Sequence, residues 1–138
     1  MNRTLIVMPT YNERENLPRM AERLRALPVK VDLLVVDDNS PDGTGRIADE
    51  LAAKHPEVHV IHRAEKNGLG RAYIAGFKWA LTQGYDFVFE MDGDFSHNPD
   101  DIPALLNAAK DADLVLGSRY INGIRIINWP LSRLMLSK

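Results

Sequence analysis

Short apolar runs alternate along this chain with segments of helical periodicity, and this alternation limits the folds that it can adopt. The runs are continuous, as expected of strands that are buried on both faces of a sheet. They occupy residues 5–8, 31–36, 58–61, 87–89 and 114–116. Because crossovers are right-handed, a β-α-β-α-β-α-β-α-β order forms a mostly parallel sheet with helices on both faces. The predicted fold class is therefore α/β and Rossmann-like.

Four helices are predicted between these strands. The first has apolar residues at helical spacing, and Asn12 with Glu15 offers a capping-box start. Thr44 is a plausible N-cap for the second helix. The third is expected over residues 69–83 and the fourth over residues 100–109.

Composition narrows the class of protein. The 138 residues fit one domain, predicted to span residues 1–138, and they are 45% hydrophobic and 26% charged. A net charge of -2 gives no global basic field, so we expect no nucleic-acid partner. The chain has no cysteine, which excludes disulfides and thiolate chemistry and is compatible with the cytoplasm. The first apolar run is too short for a signal peptide or a membrane span.

Polar and aromatic residues follow the first two predicted strands. Ligands bind at the carboxyl ends of parallel strands, near a switch in strand order. Tyr11 and Glu13 follow the first strand. The aromatic ring could stack on a base, and the carboxylate could form hydrogen bonds with the base edge or the ribose. Taken alone, however, this segment is better explained as an ordinary strand-to-helix turn. Asp37 and Asp38 end the second strand, and adjacent carboxylates repel unless a cation, a donor or a ribose hydroxyl shares them. A polar turn is the alternative there, but it would not need so many polar side chains in succession.

A glycine-containing segment opens the third helix. Gly68 and Gly70 would let a ligand approach the backbone at a helix N-terminus, which favours anions. Lys66 and Arg71 could add positive charge near a diphosphate. A plain loop explains this segment equally well.

The pair Asp92 and Asp94 is the sharpest signal, because it directly follows a strongly apolar strand. Two carboxylates separated by one small residue can hold Mg²⁺ or Mn²⁺, which would bridge the diphosphate of a nucleotide sugar. His97 is a possible further ligand, although a polar residue beside a helix is the safer interpretation. Arg119 follows the fifth predicted strand, and Arg133 lies further on; arginine suits a phosphate, and a surface ion pair is the alternative for each.

With these segments in view, the chain resembles the GT-A glycosyltransferases of family 2, in particular the dolichol-phosphate mannose synthases and their bacterial polyprenol-phosphate relatives. Six strings carry the resemblance, in the family's order and over essentially the whole chain. They are Met8-Pro9-Thr10-Tyr11-Asn12-Glu13, Val36-Asp37-Asp38-Asn39-Ser40-Pro41-Asp42-Gly43-Thr44, Gly68-Leu69-Gly70 with Ala72-Tyr73, Met91-Asp92-Gly93-Asp94, Gly117-Ser118-Arg119-Tyr120 and Asn128-Trp129-Pro130.

The resemblance implies a role for each matching residue. The residues that would bind the nucleoside are Pro9, Tyr11, Glu13 and Asp38. Lys66 would lie near the diphosphate. The metal and the diphosphate would be held by Asp92 and Asp94, with Ser96 as a further contact where the family often has Gln. Arg119 and Arg133 would receive the phosphate of the acceptor.

The resemblance also implies a reaction and a place in the cell. Mannose would pass from GDP-mannose to a polyprenyl phosphate in a single inverting displacement, with Mg²⁺ or Mn²⁺ as cofactor. The phosphate oxygen is already largely ionised near neutral pH, so it needs positioning more than a strong base. We expect a protein on the cytoplasmic face of the membrane, in contact with it through the apolar C-terminal segment. We also expect that the family's C-terminal membrane-interface part continues beyond residue 138.

Three other interpretations deserve comparison. A signalling receiver domain has a similar acidic opening, but there the acidic pair follows the first strand, whereas here a complete strand-helix unit precedes Asp37. A family 2 transferase that uses UDP-glucose or another donor stays open, because base selection depends on pocket shape. A nucleotide-sugar-binding module without catalysis also stays open for this length of chain.

Overall fold

The structure is a computed structural model that describes residues 3–64, 69–91, 100, 102–104, 118–121 and 124–128, the last two ranges as backbone. None of the helices in these ranges combines the length and the hydropathy that a membrane span requires.

The sheet has six strands in the order β3-β2-β1-β4-β6-β5. Their bounds are Thr4–Thr10 (β1), Asp32–Asp37 (β2), Val58–His62 (β3), Phe87–Glu90 (β4), Ser118–Ile121 (β5) and Ile124–Asn128 (β6). Neighbours among the first four strands pair in parallel, as the apolar runs predict. The strand order reverses at β1, which lies between β2 and β4, so the crevice between β1 and β4 is the position where open α/β sheets bind ligands.

Three helices connect the parallel strands: α1 (Asn16–Arg25), α2 (Thr44–Lys54) and α3 (Leu69–Gln83). The bounds of α3 agree with the prediction, and Gly84 follows it at a positive φ of 74°. The predicted caps were wrong. The residue at the N-cap of α1 is Glu15, which makes no side-chain capping bond, and that of α2 is Gly43 at a φ of 93°. Thr44 lies inside α2 because its hydroxyl bonds to the neighbouring loops, as described below.

The two faces of the sheet have separate cores. Alternate side chains of the strands, such as Ile6 and Phe89, pack with α1 and α2 on one face. The residues between them, such as Val7 and Val88, pack with α3 on the other. Gly76 of α3 lies so close to β1 that a Cβ there would come within 2.5 Å of Val7 Cγ1. The helices are therefore on both faces, as predicted.

The C-terminal part of the sheet differs from the prediction. β6 runs antiparallel to both β4 and β5, so it is inserted between two strands that run in the same direction. The segment that sequence alone offered as an apolar interfacial surface thus supplies, over residues 124–128, a strand inside the sheet. The fifth strand predicted at residues 114–116 and most of the helix predicted at 100–109 lie outside the described residues; residues 102–104 are helical and Ile102 is fully buried.

We call the edge where the four parallel strands end the carboxyl rim. It is formed by Thr10 of β1, Asp37 of β2, His62 of β3 and Glu90 of β4. The candidate site residues are described relative to this rim.

Candidate functional site

Pro9 stands near the end of β1, in the middle of the sheet, where a missing N–H would normally cost a ladder hydrogen bond. The backbone of Val7 faces β4, because its carbonyl accepts from the Met91 N–H at 3.0 Å. Pro9 is two residues further on and faces the same side, beyond Glu90, the last residue of β4. Because proline has no N–H to donate, Pro9 cannot continue the pairing of β1 with β4 beyond the bond between Met91 and Val7, and it lies at the switch point of the rim.

The first carboxylate of the acidic pair is a structural brace. Asp37 is 2% exposed, and its Oδ1 accepts hydrogen bonds from the Thr10 hydroxyl at 2.7 Å and the Ser40 hydroxyl at 2.6 Å. Its Oδ2 accepts from the Ser40 N–H at 3.0 Å. A Cβ added at Gly45 would come within 2.9 Å of that Oδ2, so the carboxylate is also sterically enclosed. Asp37 therefore joins the end of β1 to the loop that follows β2.

The loops after β1 and β2 are joined to each other by backbone-to-side-chain bonds. The Asn12 N–H donates to the Ser40 hydroxyl at 3.0 Å, and the Glu13 N–H donates to the Thr44 hydroxyl at 3.0 Å. Asn12 and Asn39 both adopt left-handed backbone conformations, with φ of 58° and 57°. Asparagine tolerates that region better than other residues with a side chain, so these two positions turn each loop sharply at the rim.

Asp42 forms further hydrogen bonds to both of these loops. Its carboxyl accepts from the Thr44 N–H at 3.0 Å, from the Thr44 hydroxyl, and from the Arg14 N–H at 3.2 Å. Burial by itself raises the pKa of Asp42, but these hydrogen bonds and the charge of Arg14 outweigh it, so the pKa lies below its ordinary value. The ionised form is the one that fastens the two loops.

The second carboxylate of the acidic pair has a different environment. Asp38 follows β2 at the rim, and its Oδ1 accepts from the Arg63 guanidinium at 3.1 Å. The two side chains are 7% and 16% exposed, respectively. The Arg63 N–H also donates to the Asp37 carbonyl at 2.8 Å, which anchors the arginine at the end of β3. The repulsion that sequence analysis expected between the two carboxylates is thus relieved by hydroxyl and amide donors on Asp37 and by a guanidinium on Asp38.

Three of the predicted nucleoside-binding residues lie at the end of β1 and in the loop that follows it, next to Asp38. Pro9 is buried, whereas the Tyr11 side chain is 36% exposed at the rim. Glu13 is partly buried, and its carboxylate accepts from the Asn16 side-chain amide at 3.0 Å, near the start of α1. The Asp38 N–H donates to the Thr10 carbonyl at 3.1 Å, so the aspartate is fixed directly beside the residue that precedes Tyr11. The structure therefore brings Pro9, Tyr11, Glu13 and Asp38 to one edge of the sheet.

The predicted metal ligands Asp92, Asp94 and Ser96 lie outside the described residues, as do Lys66 and Arg133. Within the described ranges no three His, Asp or Glu side chains form a group that could hold a metal ion. Met91, which directly precedes Asp92 in sequence, is bonded to Val7 of β1 at the switch point. Carboxylate and hydroxyl oxygens are hard ligands, so the donor set that follows this position fits Mg²⁺ or Mn²⁺.

Arg119 lies within β5, paired with Ile126, which in turn pairs with Phe89 of β4. The strand predicted before it, at residues 114–116, lies outside the described residues. The antiparallel pair of β5 and β6, to which Arg119 belongs, was not predicted from the sequence. Since β5 runs in the direction of β4, the backbone of Arg119 stands one residue before the level of Glu90 at the rim.

Sequence reasoning missed the residues that build the assembly at the rim. Thr10, Ser40 and Arg63 each contact the acidic pair, but none was singled out. Hydroxyl side chains and arginines are common next to strand ends. Arg63 is also 25 residues from Asp38 in sequence, so their pairing leaves no local sequence pattern. The antiparallel pair did leave one, because Asn122-Gly123 is a dipeptide typical of hairpin turns.

Comparison with known families decides what this arrangement belongs to. The model of glycosyl transferase family 2 matches residues 5–137. The chain belongs to glycosyl transferase family 2. That match extends from the first strand through the rim segments to the C-terminal region, so it covers every candidate residue.

Relatives from this family match the chain at high identity. An undecaprenyl-phosphate mannosyltransferase of Micrococcus luteus is 56% identical over 135 residues, which are 98% of this chain and 56% of that protein. A polyprenol monophosphomannose synthase of Mycolicibacterium smegmatis is 55% identical over 138 residues, covering 99% of this chain and 52% of the relative. A dolichol-phosphate mannosyltransferase of Pyrococcus furiosus is 46% identical over 136 residues, covering 96% of this chain and 38% of the relative. The chain thus spans about half or less of the length of these curated relatives.

Solved structures share the fold. A mannosyltransferase of Pyrobaculum calidifontis, determined with GDP-Man and Mn²⁺, has a TM-score of 0.69 at 21% identity, covering 91% of this chain and 44% of its own. A glucosyl-3-phosphoglycerate synthase of Mycobacterium tuberculosis, determined with Mn²⁺, UDP-glucose and phosphoglyceric acid, has a TM-score of 0.59 at 21% identity, covering 81% and 41%. At these identities the likeness establishes the GT-A, Rossmann-like fold of the chain.

Proposed function

We propose that this chain is the donor-binding part of an inverting glycosyltransferase that moves mannose from GDP-mannose to a polyprenyl phosphate. The observation that carries the proposal is the 56% identity over 98% of the chain to an undecaprenyl-phosphate mannosyltransferase. The geometry of the rim supports it, because Pro9, Tyr11, Glu13 and Asp38 lie together where a parallel sheet binds nucleotides. The solved relative that contains GDP-Man supports the choice of donor.

The rim supplies preorganised contacts for a nucleoside. A carboxylate beside a ribose can accept hydrogen bonds from its hydroxyls, and Asp38 is held for this purpose by Arg63 at 3.1 Å. Tyr11, which is 36% exposed at the rim, offers an aromatic face on which a base could stack. Because the brace at Asp37 fixes both loops before a ligand arrives, little conformational entropy is lost on binding.

In the proposed reaction an oxygen of the lipid phosphate attacks the anomeric carbon of mannose. A bond from that oxygen to the carbon forms as the bond from the carbon to the diphosphate breaks, so GDP leaves and the configuration inverts. A divalent cation held by Asp92 and Asp94, with Ser96 as a further contact, would neutralise charge on the departing diphosphate. Arg119 and Arg133 would hold the acceptor phosphate in line, since a guanidinium donates two parallel hydrogen bonds to phosphate.

The proposed acceptor is a membrane lipid, and so we also propose that the protein acts at the cytoplasmic face of the membrane. Contact through the C-terminal region would bring the acceptor phosphate to the rim.

Isothermal titration calorimetry with GDP, UDP and GDP-mannose, each with and without Mn²⁺, tests the donor site. We expect GDP to bind more tightly than UDP, and Asp38→Ala to weaken the binding of both, because the ribose that Asp38 would contact is common to the two nucleotides. Asp94→Ala should remove the effect of Mn²⁺ while leaving the metal-free affinity for GDP unchanged. Glu50→Ala is the matched control, because Glu50 is exposed on α2 and is expected to leave every titration unaltered.

The outcomes separate the alternatives. A preference for UDP would keep the fold and the reaction but replace GDP-mannose by a UDP-sugar. Binding without transfer to a polyprenyl phosphate would favour a nucleotide-sugar-binding module. Failure of a folded chain to bind any nucleotide would refute the assignment of the rim as a donor site.

A further inference from the structure

The outer side of α3 carries a stripe of basic and apolar residues. Arg71, Ile74, Lys78 and Leu81 are spaced three, four and three positions apart, and at 3.6 residues per turn they lie within about 80° of arc. All four are exposed, with Ile74 at 52% and Leu81 at 36%. Large apolar side chains in such a row, alternating with cations, are the pattern of helices that bind at membrane surfaces. We call these four residues the α3 stripe.

The charge of α3 is one-sided. Its sequence contains neither Asp nor Glu, although the chain as a whole has a net charge of -2. The two helices on the opposite face of the sheet do carry exposed carboxylates, namely Glu22 on α1 and Asp49 and Glu50 on α2. Those two helices carry cations as well, so α3 differs in that its cations, Arg71 and Lys78, have no carboxylate of their own helix beside them, which favours contact with anions.

The α3 stripe continues towards the candidate site. A depression of about 430 Å³ beside it is lined by Arg63, Arg71, Ile74, Ala75 and Lys78. Arg63 is the residue that holds Asp38, so one end of the stripe reaches the carboxyl rim. Because α3 follows β3 and leads back to β4, its N-terminal end with Arg71 lies at the rim and its C-terminal end lies at the other edge of the sheet.

We propose that the α3 stripe is a docking surface for a lipid bilayer that contains anionic phospholipids. Ile74 and Leu81 enter the headgroup region, and Arg71 and Lys78 contact lipid phosphates on either side of them. A second copy of the chain is a poor occupant, because two such stripes would place cations against cations without a carboxylate between them. The surface is separate from the C-terminal contact proposed above, and it explains why Ile74 and Leu81 are exposed.

This docking would serve the proposed reaction, and only its biological purpose depends on the proposed function. A bilayer along the stripe touches the end of α3 at the carboxyl rim, so an acceptor phosphate in the headgroup layer would have a short path to the site. The docking itself requires neither the donor nor catalysis, and the two can be measured independently.

Vesicle co-sedimentation tests the proposal, with phosphatidylcholine vesicles beside vesicles that contain about one-third phosphatidylglycerol. Each cation near an anionic surface contributes about fivefold to the partition coefficient. Lys78→Glu removes one attraction and adds one repulsion, so it should weaken binding by about 25-fold. Lys54→Glu makes the same change of charge at an exposed position on α2, on the opposite face, and should change binding by less than about threefold at moderate salt.

A second variant separates charge from apolar contact. Ile74→Ser should weaken binding severalfold while leaving the unfolding midpoint nearly unchanged, since the Ile74 side chain is already 52% exposed. Raising the salt concentration should weaken the wild-type chain more than Lys78→Glu.

Several results would overturn the proposal. They are equal binding by Lys78→Glu and the wild-type chain, equal binding to neutral and anionic vesicles, and a dimer in sedimentation velocity that Lys78→Glu dissociates. Titration of the same samples with GDP-mannose keeps the two hypotheses apart. A wild-type chain that binds GDP-mannose but not anionic vesicles would refute the docking surface alone, and a wild-type chain that binds anionic vesicles but not GDP-mannose would refute the donor site alone.

Discussion

Replacing Asp37 by alanine should destabilise the protein far more than its position at the very end of a strand suggests. The carboxylate accepts two hydroxyl bonds, from Thr10 at 2.7 Å and Ser40 at 2.6 Å, and one amide bond from Ser40 at 3.0 Å. Hydrogen bonds to a charged group contribute about 1.5 kcal/mol each at the lower end of their range. Their loss is partly offset, by about 1–2 kcal/mol, because the variant no longer buries a polar group.

The net loss expected for Asp37→Ala is therefore about 3 kcal/mol. For a domain of 138 residues the entropy of unfolding is about 0.3 kcal/mol per kelvin, so the midpoint of thermal unfolding should fall by about 10 °C. Differential scanning calorimetry and urea unfolding measure both quantities. Glu50→Ala, which removes an exposed carboxylate from α2, should change the free energy of unfolding by less than about 0.5 kcal/mol.

A double-mutant cycle makes this prediction specific. Thr10→Val removes one donor to Asp37, and it should cost about 1.5 kcal/mol more in the wild-type chain than in Asp37→Ala. If Asp37→Ala costs less than about 1 kcal/mol, or if the two substitutions simply add, the carboxylate does not brace the loops and this account of the rim is wrong.

Two further substitutions probe other parts of the fold. Gly76→Ala should destabilise the protein by about 1–3 kcal/mol in urea unfolding, because the new Cβ would come within 2.5 Å of a β1 side chain. Gly70→Ala, whose Cβ would have nothing within 4 Å, should be neutral or slightly stabilising in the same assay. Asp42 has a lowered pKa in the folded state, so the unfolded chain binds more protons in acid, and stability should fall as pH falls from about 5 through the folded pKa. Asp42→Asn should flatten that slope in urea midpoints measured against pH; an unchanged slope would show that other carboxylates carry it.

The parallel half of the fold was predictable because each of its strands is a short apolar run followed by a helical pattern. The runs at 31–36 and 58–61 became β2 and β3 with bounds that differ by one residue at the ends, and α3 matched its predicted range. Apolar runs carry no information about direction, however. The insertion of β6 as an antiparallel strand depends on pairing with β4, which lies more than thirty residues earlier in the chain.

The candidate site was predictable in place but not in detail. Strand ends meet at one rim in any parallel sheet, which is why Tyr11 and Asp38 could be brought together from sequence. The division of labour within the acidic pair could not be inferred, since it depends on which carboxylate faces Thr10 and which faces Arg63. The predicted start of α2 was wrong for the same reason, because the Thr44 hydroxyl accepts a hydrogen bond from the loop after β1 instead of capping its own helix.

The position of β6 has a consequence for how the protein is made. Synthesis proceeds from the N-terminus, so β1 to β4 leave the ribosome well before β6, although β6 is the neighbour that covers the free side of β4. Until residue 128 has emerged, the nascent four-stranded sheet exposes the edge of β4, a strand of sequence Phe-Val-Phe-Glu. An open apolar edge is a template for pairing with other chains. Pauses in translation between residues 90 and 128 should therefore be the interval in which this protein most needs a chaperone.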